Sequence, residues 1–170
     1  TLARHLLSVE KLNFKFSVSA TTRKKRDHEI NGKDYFFFST EEFKNSIENQ
    51  DFIEYEKVYE NMYYGTLKSE VNNLIVNHNI VFDVDVLGAL SLKKYFKSLA
   101  ISIFIKPPSI DVLEKRLIDR KKNEPSEIKE RIKKAEIEMK TEADFDTVII
   151  NKDLDVAKQE LIDKVEEFLK

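Results

Sequence analysis

Residues 67–120 read LKSEVNNLIVNHNIVFDVDVLGALSLKKYFKSLAISIFIKPPSIDVLEKRLIDR, and the period of the apolar residues changes repeatedly along them. LKSEVNNLIVNH at 67–78, GALSLKKYF at 88–96 and SIDVLEKRLIDR at 109–120 place apolar residues three and four apart, the spacing of amphipathic helices. IVFDVDV at 80–86 and AISIFI at 100–105 are short apolar runs of strand length. Strands alternating with helices predict a parallel, doubly wound α/β sheet with right-handed crossovers. The rhythm continues after a polar break, KKNEPSE, with a charged helix at 128–140, the strand FDTVIIN at 145–151 and a closing helix from 153 to 169. Before it, Leu2, Leu6 and Leu7 mark a helix and FKFSVSA at 14–20 a strand that runs into the polar stretch TTRKKRDHE.

The segment from 23 to 78 breaks the alternation, being richer in turns, aromatics and short strands. Asn31-Gly32 is a turn signal ahead of an aromatic strand, and Ser39 with Glu42 three residues on forms a capping box for a helix at 40–50. FIEYEKVY at 52–59 is another strand. We therefore expect a core domain from residues 1–22 and 79–170, a lid at about 119–133, and a small mixed β/α lobe at 23–78 inserted in the core.

Bulk composition narrows the function classes. Lys and Arg total 29 against 31 Asp and Glu, a net charge of −2, so no global field draws the chain to nucleic acid or to an anionic membrane. With no cysteine, disulfides and thiolate zinc sites are excluded. His5, His28 and His78 are too scattered for a metal cluster, so a metal is expected only with a substrate. No apolar run reaches the length of a membrane span, and a cytoplasmic location is the expectation.

Ligands of doubly wound sheets bind at the carboxyl edge, which directs attention to residues 19–23, 83–88 and 151. Asp83 and Asp85 stand two apart at the end of an apolar strand and are expected to project from the same face of it, where paired carboxylates suit a Mg2+-nucleotide or the N–H groups of a base. A bland alternative makes Asp85 a helix cap and leaves Asp83 in water. TTRKKR offers Arg23 and Arg26 beside two hydroxyls, a set suited to phosphate oxygens, although basic runs are commonly just solvated loops. MYYGT at 62–66 adds phenol and hydroxyl donors, or simple aromatic packing, and Glu54 lies among apolar neighbours where it could accept two N–H bonds from a base edge. Arg116, Arg120 and Arg131 flank the polar break, as arginines of a closing lid would, or as members of a solvated charged face.

Taken in order, SVSATTRKKRDHEINGKDYFF, FIEYEKVYENMYYGT, FDVDVLGA, SIFIKPPS, LEKRLIDR, ERIKKAE and VIINKDLDVA resemble the guanylate kinase family from about residue 17 to the C-terminus. The resemblance implies a P-loop NTPase-like parallel sheet core flanked by helices, and transfer of the γ-phosphoryl of ATP to GMP or dGMP. It implies that Ser19, Glu54, Thr66 and Asp85 recognise guanine. Arg23, Arg26, Tyr35 and Tyr64, the second of two adjacent tyrosines, would hold the GMP phosphate. Asp83 would lie near Mg2+ through water, Arg116, Arg120 and Arg131 would approach the ATP phosphates and adenine, and Asn151 would lie near the adenine. Family members carry a strand and a GxxGxGK[ST] phosphate loop before a helix like TLARHLL, so that loop is expected ahead of Thr1. A non-catalytic guanylate-kinase-like module that binds a protein partner is the alternative. No nucleic-acid or membrane partner is expected.

Overall fold

A computed structural model describes residues 1–59, 62–119 and 125–170. They fall into two compact units, one of Thr1 with Ala3–Ala100 and one of Leu2 with Ile101–Lys170.

In the first unit the elements are α1 (Leu2–Leu7, all but its first residue), β1 (Phe14–Phe16), β2 (Ala20–Thr21), β3 (Phe36–Phe37), α2 (Thr40–Glu48), β4 (Phe52–Tyr59), β5 (Met62–Leu67), α3 (Lys68–Ile75), β6 (Asn79–Val81) and α4 (Val86–Phe96). β1 pairs in parallel with β6, and β3-β2-β5-β4 form a four-stranded mixed sheet. Two expectations change here. The single strand expected at 14–20 divides, because its first part bonds β6 while Ala20 and Thr21 bond β3 and β5. The strand expected at 80–86 ends at Val81, so Asp83 and Asp85 stand in the connection to α4 and not on one strand face. MYYGT, for which no strand was expected, lies in β5, an inner strand of the four-stranded sheet.

The turn and cap chemistry follows the residues. Gly32 has φ +77°, the left-handed region glycine enters freely, and the turn closes with Gly32 N–H donating to the Tyr35 carbonyl at 2.8 Å. Ser39 and Glu42 form the expected capping box, with N–H to side-chain distances of 3.1 and 2.7 Å.

Alternation gives the mixed sheet two unlike faces. Ala20, Tyr63, Gly65, Leu67 and Phe52 lie on one face, where Phe43 of α2, fully buried, stacks on Phe52 at 4.4 Å and on Tyr63 at 5.3 Å. Thr21, Tyr64, Thr66 and Glu54 lie on the other. A register shift between Phe52 and Glu54 makes this possible: a regular strand would put them on the same face, and the irregularity sends Phe52 into the aromatic core and Glu54 to the polar side. Gly65 is needed opposite it, because a Cβ there would meet Phe52 Cδ1 at 2.9 Å and the Glu54 carbonyl at 3.0 Å.

The second unit contains β7 (Ile103–Lys106), α5 (Ile110–Asp119), α6 (Pro125–Glu138), β8 (Thr147–Ile150) and α7 (Leu154–Phe168). β7 and β8 are parallel and paired along their whole length. Their starts are tied by Asp146 Oδ2, which accepts from Ser102 N–H at 2.7 Å and Ser102 Oγ at 2.8 Å. Asp153 caps α7, whose Ala157, Leu161 and Val165 recur every fourth residue and are buried. The fold is thus mixed α/β with parallel strand pairs and flanking helices. No helix among the described residues is long and apolar enough to cross a membrane.

Candidate functional site

The polar face of the mixed sheet carries two adjoining clusters. In the first, register sets Glu54 of β4 opposite Thr66 of β5, and Thr66 Oγ1 donates to Glu54 Oε1 at 2.5 Å. Thr66 is almost wholly buried. Asp85 caps α4, its Oδ1 accepting from Gly88 N–H at 3.0 Å. A Cβ placed on Gly88 would lie 3.3 Å from Glu54 Oε2 and 3.4 Å from Asp85 Oδ1, so the two carboxylates converge on that glycine. Asp85 is therefore both the helix cap of the bland alternative and a neighbour of Glu54. Burial raises the Glu54 carboxyl above its ordinary value, the Thr66 bond opposes this, and the charge of Asp85 adds to it. Two converging carboxylates, with the Thr66 hydroxyl bonded to Glu54, form an acceptor-rich site suited to a ligand edge bearing N–H groups. A cleft of about 420 Å3 between β4 and α4, lined by Glu54, Tyr55, Glu56, Leu87, Gly88, Leu90, Ser91 and Lys94, adjoins it.

The second cluster is cationic. Arg23 follows β2, and its guanidinium lies 5.2 Å from the ring centre of Tyr35 and 5.7 Å from that of Phe37. Tyr35 in turn meets Tyr64 edge-on at 6.0 Å. The Arg23 fork is held by a carboxylate the sequence reading did not single out. Nη1 and Nη2 donate to the two oxygens of Glu29 at 3.0 and 2.7 Å, and Arg26 N–H donates to the same carboxylate at 2.8 Å. Glu29 is buried, and the bonds from Arg23 and then from Arg26 hold its carboxyl at about 2 against an ordinary 4.5. Its only sequence signal was an acid at the end of a basic loop, six residues after the arginine it grips.

The adjacent tyrosines divide between the faces: Tyr63 stacks on Phe43 in the core, while Tyr64 faces Tyr35. Ser19 precedes β2 and accepts through its carbonyl from Phe36 N–H at 3.0 Å. Arg26 has an exposed side chain, and Asp83 is exposed in the connection before α4. In the second unit, Arg116 of α5 donates from Nη1 to the Asn151 carbonyl at 2.9 Å and from Nη2 to the Lys152 carbonyl at 3.2 Å. Arg131 of α6 is exposed. Arg120 and most of the break in the expected lid lie outside the described residues. Among the described residues no three His, Cys, Asp or Glu side chains group so as to hold a metal ion.

Comparison with known proteins gives a consistent result. The guanylate kinase family model matches residues 1–169. A guanylate kinase of Bacteroides fragilis is 48% identical over 170 residues, spanning 99% of this chain and 83% of that protein. One from Porphyromonas gingivalis is 44% identical, spanning 99% and 90%. The crystal structure of guanylate kinase from Anaplasma phagocytophilum superposes with a TM-score of 0.78 at 28% identity, over 99% of this chain and 81% of that one.

Proposed function

Because the chain belongs to the guanylate kinase family, whose members are ATP:GMP phosphotransferases, we propose that the two clusters of the mixed sheet are the base and phosphate halves of its GMP site. The observation that carries this reading is the convergence of Glu54 and Asp85 on Gly88, with Thr66 bonded to Glu54. Guanine presents two N–H donors, at N1 and its exocyclic amine, to one carboxylate. Adenine presents an acceptor at the same ring position, which would face Glu54 without a proton between them. An unpaired buried acceptor is costly, so selectivity follows from the donor pattern alone. Ser19 and Asp85 complete the base contacts in this reading, and dGMP is accepted alongside GMP.

The phosphate of GMP takes donors from Arg23, Arg26, Tyr35 and Tyr64, with Glu29 orienting the Arg23 fork. Arg116, Arg120 and Arg131 neutralise the ATP phosphates, and Asn151 borders the adenine. Residues 23–78 act as the GMP-binding lobe and residues 119–133 as a lid; their closure excludes water, so that the phosphoryl group passes to GMP and is not hydrolysed. No covalent intermediate is needed, because phosphoryl transfer depends on alignment and charge neutralisation. Asp83, an exposed carboxylate in the connection before α4, fits a hydrated Mg2+ carried mainly by nucleotide phosphates and held through water. When bound, that ion supplies charge neutralisation at the transferred group. Substrates of this kind point to a cytoplasmic role in purine nucleotide supply.

The test is a coupled assay for ADP formation with GMP, AMP and UMP as acceptors. The expected result is rapid turnover with GMP only. Equal turnover on all three would overturn the base-recognition reading, and none on any of them would shift the assignment to a binding module.

A further inference from the structure

Gly88 is the third residue of α4, a position where glycine is among the poorest choices. Its backbone does not call for it: among the described residues the only glycine with positive φ is Gly32. The cap bond from its N–H to Asp85 Oδ1 is one that any residue but proline could make. What distinguishes the position is space. An added Cβ would lie 3.2 Å from Val84 Cβ, 3.3 Å from Glu54 Oε2 and 3.4 Å from Asp85 Oδ1.

These three neighbours differ in their freedom to move. Val84 Cβ is fixed to the backbone between β6 and α4, and Asp85 Oδ1 is held by the helix cap. Glu54 Oε2 is at the end of a side chain, so it is the atom that yields. Its partner oxygen already accepts from Thr66, so displacement turns the carboxylate out of the geometry that bond sets.

We infer that Gly88 is a specificity-determining position, kept without a side chain so that Glu54 and Asp85 can present their carboxylates together to the guanine edge. This rests on the base-recognition reading above. Gly88 forms no bond to the base; it positions Glu54.

The experiment compares Gly88→Ala with Glu54→Gln in the full-length protein, measuring KM for GMP and for ATP, GMP affinity by calorimetry without ATP, and the melting temperature of the free protein. For Gly88→Ala we expect KM for GMP to rise about tenfold, the scale of a mispositioned polar contact, with KM for ATP unchanged and only a modest fall in melting temperature from the Val84 Cβ contact. An unchanged KM for GMP overturns the inference, as does a parallel loss for GMP and ATP with a lower melting temperature. If Gly88→Ala does not fold, Val84→Gly with Gly88→Ala removes the backbone-anchored contact; a raised KM for GMP there supports the inference and a normal one overturns it. Should Glu54→Gln itself leave KM for GMP unmoved, the base-recognition reading fails; a rise in Glu54→Gln with none in Gly88→Ala removes only the role of Gly88.

Discussion

The two faces of the four-stranded sheet are built from the same strands and do opposite work. One is covered by α2, whose Phe43 stacks on Phe52 and Tyr63. The other is open and polar, and within it the two clusters differ again. Arg23 is already paired with Glu29, whereas Glu54 and Asp85 are two carboxylates that converge on Gly88, with Thr66 bonded to Glu54. The difference teaches where stability and recognition reside. Substitutions on the closed face should lower stability and take every activity with it, while those on the open face should alter ligand preference with little change in the fold.

The largest expected effect tests the closed face. Phe43→Ala removes a fully buried ring and should lower unfolding stability by about 3–5 kcal/mol in denaturant titration. A loss confined to GMP binding would erase the distinction between the faces.

Glu54→Gln should cut kcat/KM for GMP by about 100-fold with KM for ATP preserved, because an amide mispairs with one guanine N–H. Its effect on the free protein should have the opposite sign. A carboxyl whose pKa is raised by burial contributes stability at low pH and loses it as pH rises through its folded pKa, so at neutral pH the glutamine relieves a cost. A melting temperature that drops along with GMP affinity would make Glu54 a structural residue.

For the cationic cluster, Arg23→Lys keeps the charge but loses the fork that meets both Glu29 oxygens, and KM for GMP should rise about tenfold. Full activity would show that charge alone suffices there.

The smallest effect concerns acid. Glu29 is held at about 2 against an ordinary 4.5, so its contribution to stability is complete above the ordinary value and is lost as pH falls toward about 2. Acid unfolding should therefore be shallower across that window in Glu29→Gln than in the parent protein. GMP affinity, in contrast, should begin to weaken on acidification above the usual carboxylate range, because Glu54 must be ionised to accept and its carboxyl is raised. Both profiles falling together would mean that the two clusters titrate as one.

Much of this was legible without coordinates, for reasons that are local. Ser39 and Glu42 form their capping box because three-residue spacing brings side chain and backbone together whatever lies elsewhere. The α4, α5 and α7 periods, the Asn31-Gly32 turn and the order of the site motifs are likewise properties of neighbouring residues. Glu29 was missed because its partner is fixed by the path of the loop, and β5 because an inner strand is defined by its two neighbours.

By itself, then, the sequence determined the alternating α/β plan, the caps and turns, and the family to which its motifs point, since each depends on short-range spacing and residue type. Only the tertiary structure decided which side chains share a face. Whether Tyr63 or Tyr64 meets the cationic cluster follows from the pairing of β5, and whether Glu54 is buried with Phe52 or turned to Thr66 follows from one register shift in β4. In a strand every side chain has two possible faces, and cross-strand register, a long-range property, chooses between them.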